Sequence, residues 1–260
     1  LGIDAAIYLA KHGGAIMTSI AKTALVAVFT TLFGWLALAK RRRVRSPLLL
    51  AALFGIMVLQ PTPSQALEIR HAEKSIYIPA GETIDDTLIV FGETVEVDGD
   101  VTGDLIAVGR RVSIRGRVGG GVFAAAQSVT VDGEVDGSVL GAATELSVGS
   151  SRIGRNLYGV GSTINLNPRA RVEKNAVVAG QAVHLAGAVG GDVLCGGENV
   201  EVGGSVGRAL TAYAEQLALL ATARIAGDVT AHVPRADVLT VSPGAVIGGE
   251  LKTQLMKHDE

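Results

Sequence analysis

The chain has 260 residues, of which 48% are hydrophobic, with 23 basic and 25 acidic side chains. Residues 1–66 hold seven of the basic side chains and one acid, so residues 67–260 carry 16 basic and 24 acidic groups, a net charge of −8. An acidic surface repels phosphate backbones, which argues against nucleic-acid binding. The single cysteine, Cys195, excludes an intrachain disulfide and a cysteine-based zinc cluster.

The first segment, residues 1–39, is hydrophobic and is predicted to be helical. Its second half, residues 23–39, contains 17 uncharged residues in succession. That length lies at the short limit for a helix that crosses a bilayer. The sequence therefore predicts a possible transmembrane helix in this upstream segment.

Residues 40–66 combine a basic loop with a second apolar stretch. The basic residues Arg41, Arg42, Arg43 and Arg45 precede a 13-residue apolar core, and small residues follow up to Ala66. This order is typical of a signal peptide cleaved after Ala66, and it also fits a second membrane segment. Because basic loops stay in the cytoplasm, we expect the following domain on the extracytoplasmic side, in the periplasm or cell envelope. The alternative is the cytoplasmic face of the membrane.

From Ile76 onward the chain repeats with a period near 17 residues. Residues 104–120, 121–137 and 192–208 are three such 17-residue units. Each unit has two apolar residues separated by one polar residue, an alternation that predicts a strand. The first of the two apolar positions is occupied in successive units by Val95, Val112, Val129, Leu146, Ile164, Val183, Val200 and Leu217.

Length variation falls in one part of each unit. The gap between the second and third apolar positions is four residues in the 17-residue units, and it grows to six from Leu166 to Val172 and from Leu219 to Ile225. Stacked coils whose faces stay in register accept insertions at a corner in this way. We therefore predict an all-β, short-rung β-helix over residues 67–251, with about nine rungs of 17–19 residues and three short faces, followed by a polar tail at residues 252–260.

Glycine and valine recur within these units in a pattern that resembles a known family. The segments "VDGDVTGDL" (97–105), "IRGRVGGGV" (114–122), "VDGEVDGSV" (131–139) and "VGGSVGRAL" (202–210) resemble the bactofilins, polymer-forming cytoskeletal proteins of bacteria. The resemblance implies a right-handed β-helix that polymerises end to end without nucleotide, associates with membranes and acts as a scaffold in cell shape or envelope organisation. The long hydrophobic amino terminus departs from the short tail of typical members.

One exterior face is predicted to be apolar along most of its length. Strand alternation turns one apolar residue of each rung outward, namely Ile89, Ile106, Phe123, Leu140, Tyr158, Val177 and Leu194. A continuous exposed apolar patch usually marks a contact surface. We predict lateral pairing of β-helices, or docking on a membrane or envelope component. The alternative is that these residues point inward or are covered by the amino-terminal segment.

Catalytic patterns are weak by comparison. Residues 203–207 match the G-x-S-x-G elbow of serine hydrolases, but Ser205 takes the place of Asp100, Arg117 and Glu134 in other rungs. His184 falls in a row of ordinary polar residues. The longer carboxyl-terminal segment, residues 228–249, holds His232, Arg235 and Asp237, which we expect to shape or cap the last rung.

We therefore predict a protein that is not an enzyme and that needs no cofactor or metal. The phosphate-binding G-x-x-x-x-G-K-[ST] pattern does not occur. Asp104, Asp192 and Asp228 recur at one corner, where we expect them to accept hydrogen bonds from their own backbone. The leading function is a self-assembling scaffold. The alternatives are an exported monomeric adhesin or envelope-binding module, and a β-helix enzyme acting on carbohydrate.

Overall fold

Each repeat of the sequence forms one rung of a parallel β-solenoid. The computed structural model describes residues 67–72 and 74–256, which form about ten rungs. The predicted all-β β-helix of about nine rungs is thus confirmed. Its first strand begins at Glu68, ahead of the first recognisable repeat at Ile76, and Glu68–His71 pairs with the strand that begins at Leu88.

The solenoid contains 21 strands and one short 3-10 helix among the described residues. The strands are β1 Glu68–His71, β2 Ser75–Ile78, β3 Thr83–Ile84, β4 Leu88–Val97, β5 Asp100–Val101, β6 Leu105–Ile114, β7 Val122–Val131, β8 Val139–Val148, β9 Arg152–Ile153, β10 Leu157–Leu166, β11 Arg171–Val172, β12 Ala176–Leu185, β13 Ala188–Val189, β14 Val193–Val202, β15 Ser205–Val206, β16 Leu210–Leu219, β17 Arg224–Ile225, β18 Val229–Val233, β19 Leu239–Val241, β20 Val246–Ile247 and β21 Leu251–Leu255; the 3-10 helix is Ala236–Val238.

Three faces surround the core, and two of them come from one strand. In β4 the inward residues are Leu88, Val90, Val95 and Val97, so the alternation shifts phase near Gly92 and the strand contributes to two faces. We name the first half of each ten-residue strand face 1 and the second half face 2. The two-residue strands form face 3, where β3 pairs with β5 and six later strands, from β9 to β20, form a second sheet. Isolated bridges at Val118 and Val135 connect the two sheets.

Inward side chains of equivalent position stack along the axis of the solenoid. Leu88, Leu105 and Val122 are paired in register on adjacent rungs, and all three are fully buried.

The insertions lie where the sequence predicts them, since β10 ends at Leu166 and β11 begins only at Arg171. Leu210–Leu219 forms strand β16, although its sequence also shows helical periodicity.

The corner glycines are needed for close approach between rungs. Among the described residues, positive φ angles at glycine occur only at Gly81 and Gly244. A Cβ atom added at Gly116 or Gly133 would instead overlap the carbonyl oxygen of the glycine at the same corner one rung earlier. The side chain is therefore excluded by the stacking of the chain on itself.

The corner aspartates bond the next rung, which corrects the prediction that they bond their own backbone. The Asp192 carboxylate accepts a hydrogen bond from the Ala209 N–H at 3.1 Å, and the Asp228 carboxylate accepts one from the Glu250 N–H at 2.9 Å. Parallel rungs lie about 4.8 Å apart, so the N–H of the equivalent corner is within reach. This bond is the main reason that the pKa of Asp228 lies below its usual value.

The solenoid extends further than predicted at its carboxyl end. Strand β21 includes residues 252–255, which the sequence analysis assigned to a polar tail. It pairs in parallel with β18, so that Leu251 lies beside Val229 and Leu255 beside Val233. The five residues Leu, Lys, Thr, Gln and Leu are too few to predict a strand from the sequence alone. They form a strand because they pair with the preceding rung.

Candidate interaction surface

Face 1 carries a ladder of exposed apolar side chains, one from each of seven rungs. Its members are the seven residues of the predicted contact face, and the strand register places each beside the next. Ile89 and Ile106 are half-buried. The other five side chains are 40–45% exposed. The structure therefore directs all seven outward, and we call them the apolar ladder: Ile89, Ile106, Phe123, Leu140, Tyr158, Val177 and Leu194.

A second row of outward residues runs parallel to the apolar ladder on the same face. It contains three large apolar side chains, Phe91, Val108 and Val160, that are 39–56% exposed. Small side chains lie between them at Ala125, Ala142 and Ala179. Face 1 consequently carries two apolar rows, and small residues of the second row lie beside Phe123, Leu140 and Val177 of the apolar ladder.

The apolar surface begins one rung earlier than the sequence analysis indicated. Ile69 of β1 lies in register with Ile89 and is 46% exposed. In the sequence, the only indication of this additional strand is the short alternation of apolar and charged residues that begins at Leu67 and Ile69, ahead of the recognisable repeats. At the other end the surface becomes more polar, since Thr211 follows Leu194 and the Tyr213 ring stacks on the His232 ring at 4.1 Å.

Face 2 is polar, as the alternation predicts. The outward residues Glu96, Ser113 and Thr130 lie in register on successive rungs. His184 belongs to the same row, and its Nδ1 lies 3.0 Å from a carboxylate oxygen of Glu201 on the next rung. His184 is therefore a surface residue whose side chain pairs with Glu201.

Face 3 carries charges of alternating sign. The Arg152 guanidinium donates to Glu134 at 2.8 Å and to Glu173 at 3.2 Å, and Arg117 donates to Asp136 at 2.8 Å. The hydrogen bond to Glu134 is the main reason that the pKa of Arg152 is raised. Exposed pairs of this kind contribute little individually, but they give face 3 a mixed charge that contrasts with face 1.

The surface of the described residues includes two open clefts. One, of about 570 Å³, lies beside the apolar ladder, where Phe123, Leu140 and Tyr158 meet the corner residues Asp104 and Arg155. The other, of about 440 Å³, lies on face 3 where the short residues Ala188 and Ser205 separate Arg171 from Arg224. Both clefts are open to solvent.

The residues considered as catalytic candidates do not lie together in the structure. Ser205 begins strand β15 on face 3, in register with Ala188 and Arg224, and the next element is strand β16 rather than the helix of a nucleophile elbow. Arg235 and Asp237 pair with each other at 3.1 Å near the 3-10 helix, whereas His232 stacks on face 1. Burial raises the pKa of the Cys195 thiol to about 12, and its side chain packs in the core.

The predicted export and membrane residues, Arg41, Arg42, Arg43, Arg45 and Ala66, lie outside the described residues. Within residues 67–72 and 74–256, no helix has the length and apolar character needed to cross a membrane. In that same part of the chain, no cluster of three or more His, Cys, Asp or Glu side chains could hold a metal ion. The apolar ladder runs over seven successive rungs of the solenoid that the structure describes.

Comparisons with known protein families, with characterised proteins and with solved structures gave no match to this chain.

Proposed function

We propose that the β-solenoid is a non-enzymatic scaffold domain that associates with copies of itself and contributes to cell shape or envelope organisation. The observation that carries this proposal is the apolar ladder. Its seven side chains span seven rungs at a spacing of about 4.8 Å, a length of about 29 Å. Burying such a row against a second copy removes apolar surface from water, at about 25 cal/mol for each Å².

The geometry of face 1 suits a second solenoid better than a small ligand. Its exposed residues are set by parallel strands in register, so the surface repeats at the rung spacing. Another solenoid has the same repeat and can contact it rung by rung. A small molecule would contact only two or three rungs, such as those that carry Phe123 and Leu140.

The cellular setting of the proposal comes from the sequence. Because the basic loop and apolar core of residues 40–66 are typical of an export signal or a membrane segment, we propose a membrane-associated or exported domain on the extracytoplasmic side. The resemblance to bactofilins supports self-assembly, and a parallel solenoid with 17-residue rungs is compatible with that family. Membership in the family remains a prediction.

Size measurements on the full-length protein test the proposal. We expect concentration-dependent assemblies in sedimentation velocity and ordered particles in electron microscopy. The triple variant Ile106→Ser, Phe123→Ser and Leu140→Ser should assemble at least tenfold less, because it removes three adjacent apolar side chains of the ladder. Its circular dichroism spectrum should remain that of the parent, since all three residues point outward.

A matched control changes outward residues on face 2, with Thr130→Ser and Ser147→Ala, and should assemble as the parent does. A parent protein that stays monomeric at high micromolar concentration would contradict self-association and favour the monomeric adhesin or envelope-binding module. A topology reporter fused after Glu260 would test the location separately, since periplasmic activity supports export and cytoplasmic activity contradicts it.

A further inference from the structure

The cleft beside the apolar ladder lies at the corner where face 3 turns into face 1. Its volume is about 570 Å³, and its lining residues come from four successive rungs, beginning with Asp104 and ending with Arg155 and Tyr158. One wall is apolar and belongs to the ladder, whereas the other wall is polar and belongs to the corner. The cleft therefore combines two kinds of surface that are separate elsewhere on face 1.

A hydrogen-bond series along this corner is interrupted inside the cleft. The residue directly before each face 1 strand accepts the equivalent N–H of the next rung, as Asp104 does from Gly121 at 2.6 Å. The Ser138 hydroxyl likewise accepts the Asn156 N–H at 3.3 Å. Gly121 has no side chain to continue the series, and the Ser138 N–H has no acceptor among the described residues. This N–H donor is thus available to a ligand in the cleft.

The fold does not require glycine at position 121. A Cβ atom at Gly120 would overlap the Asp104 carboxylate and the backbone of the preceding rung. A Cβ atom at Gly121 would instead lie 3.1 Å from the Ser138 carbonyl oxygen and 3.7 Å from both Asp104 Oδ1 and the Phe123 ring. A side chain could therefore occupy this position after a small shift, and it would lie in the cleft between Asp104 and Phe123.

The apolar wall consists of Phe123, Leu140 and Tyr158, which are 40–45% exposed. The strand register places Leu140 beside both aromatic residues, so the two rings lie two rungs apart, a distance of about 10 Å along the solenoid. The C–H face of a sugar ring packs on an aromatic ring, and the repeat of an extended saccharide chain is close to the rung spacing. Successive sugar rings can therefore follow successive rungs along this wall.

The polar wall carries charges of both signs at Asp104, Asp136 and Arg155. Asp136 pairs with Arg117 at 2.8 Å, whereas Arg155 forms no ion pair within the part of the chain that the structure describes. An anion in the cleft would meet the two carboxylates, and a cation would meet the guanidinium. A hydroxyl group both donates and accepts hydrogen bonds and fits either sign. The polar wall therefore favours a neutral ligand that is rich in hydroxyl groups.

We propose that this cleft binds a neutral saccharide chain, of which it holds about two or three sugar units, since its volume lies in the range of small-ligand sites. The sugar rings stack on Phe123 and Tyr158. Their hydroxyl groups bond to the Ser138 N–H, to Asp104 and to Arg155. This site goes beyond the self-association proposed above and does not depend on it.

Isothermal titration calorimetry of the full-length protein tests the site. The neutral probes are chitotriose, cellotriose and maltotriose, and we expect saturable binding of at least one of them. Trigalacturonate, which carries carboxylates, should bind about fivefold more weakly or less, because it sets like charges beside Asp104 and Asp136. Deacetylated chitotriose, in mildly acidic buffer where its amino groups are protonated, should also bind more weakly than chitotriose, because of Arg155.

Two outcomes of this titration would overturn the proposal. If none of the three neutral trisaccharides binds at millimolar concentration, the cleft is not a saccharide site. If a charged analogue binds more tightly than every neutral probe, the cleft recognises charge and not a neutral chain.

Gly121→Asn separates the cleft from the fold. The new amide oxygen can accept the Ser138 N–H, as the Asn156 side chain accepts the Asn175 N–H at 3.1 Å. We expect the thermal midpoint to equal or exceed that of the parent, and the affinity for the neutral probe to fall by about tenfold or more, because the side chain fills the cleft. A Gly121→Asn protein that folds and binds as the parent does would contradict the proposed site.

A matched control is Ala209→Asn, which makes the same change at the equivalent corner position of a rung outside the cleft. It should leave the affinity unchanged. Tyr158→Leu provides a second check, since it removes the ring but keeps an apolar side chain in the ladder. We expect it to weaken binding by about fivefold through the loss of stacking, and unchanged affinity would exclude stacking on this ring.

The same variants distinguish this site from the proposed self-association. Gly121→Asn keeps all seven residues of the apolar ladder, so it should still assemble as the parent does. A parent protein that assembles but binds no neutral trisaccharide contradicts only the saccharide site. A parent protein that binds the trisaccharide but stays monomeric contradicts only the self-association.

Discussion

The carboxylate of Asp104 accepts a hydrogen bond from the backbone N–H of Gly121, one rung further along the solenoid, at 2.6 Å. The same relationship recurs at Asp192 and Asp228, and Asn175 provides it in another rung by accepting the N–H of Asp192. A polar side chain at this corner thus satisfies a backbone donor of its neighbour. The corner joins consecutive rungs in addition to the strand pairing.

We expect Asp104→Ala to lower the free energy of unfolding by about 1 kcal/mol, because the Gly121 N–H loses its acceptor. Asp104→Asn should retain most of the stability, since an amide oxygen can accept the same bond, as Asn175 does. Urea denaturation followed by circular dichroism measures both values. Equal losses in the two variants would show that the negative charge, rather than the hydrogen bond, is what stabilises the corner.

Two glycines of one region should differ sharply in their tolerance of alanine. At Gly204 a Cβ atom would overlap the Gly187 carbonyl oxygen of the preceding rung, whereas at Gly196 the nearest atom is the Tyr213 carbonyl oxygen at 3.9 Å. Overpacking typically costs about 1–3 kcal/mol, so Gly204→Ala should lower the thermal midpoint clearly. Gly196→Ala should change stability by no more than about 0.5 kcal/mol.

A Gly204→Ala variant as stable as the parent would mean that rungs separate easily at that corner. Ser205→Ala, at the adjacent position, should leave the thermal midpoint unchanged. Gly204 therefore has a steric role in a motif that otherwise matches a hydrolase elbow.

Adjacent residues of β7 test the inward and outward assignment. Val122 is fully buried, whereas Phe123 is 45% exposed in the apolar ladder. Val122→Ala should therefore cost about 1–3 kcal/mol from lost burial and the cavity it leaves. Phe123→Ala should cost less than Val122→Ala, although phenylalanine is the larger residue. Chemical denaturation at a protein concentration low enough to prevent association makes this comparison, and the reverse order would place Phe123 in the core.

The buried thiol of Cys195 makes the free energy of unfolding depend on pH, and the direction of this dependence follows from its pKa. Burial raises its pKa to about 12, while a thiol in an unfolded chain titrates near 8.5. The folded state holds the proton more tightly, so the contribution to stability is complete below about pH 8.5 and is lost as the pH rises toward 12. We expect the parent to lose stability over this window faster than Cys195→Ala.

Cys195→Ala is a suitable comparison because the equivalent residue of the next rung is Ala212. Other titrating groups are the same in both proteins and cancel in the difference. Parallel slopes for the two proteins would contradict the burial of the thiol. In addition, a thiol reagent at pH 8 should react with Cys195 only after denaturant is added.

The recurrent apolar positions determined most of the architecture. Side-chain alternation in strands has a period of two, so Val95 and Val97 already specify a strand and the side that faces the core. Their recurrence every 17 residues specifies stacking, because one rung cannot bury its own apolar face. The same alternation predicted the direction of Phe123, Leu140 and the rest of the apolar ladder.

Only the tertiary structure could decide which residues lie at the two ends of the solenoid within the described part of the chain. Glu68 and Arg70 do not follow the apolar repeat, and their inward position depends on pairing with Leu88 and Val90, residues 20 positions away. Leu251 and Leu255 look like the core residues of any other rung in the sequence. Their exposure follows from the position of β21 at the end of the sheet, since a local pattern records which side a residue faces and not whether another rung covers it.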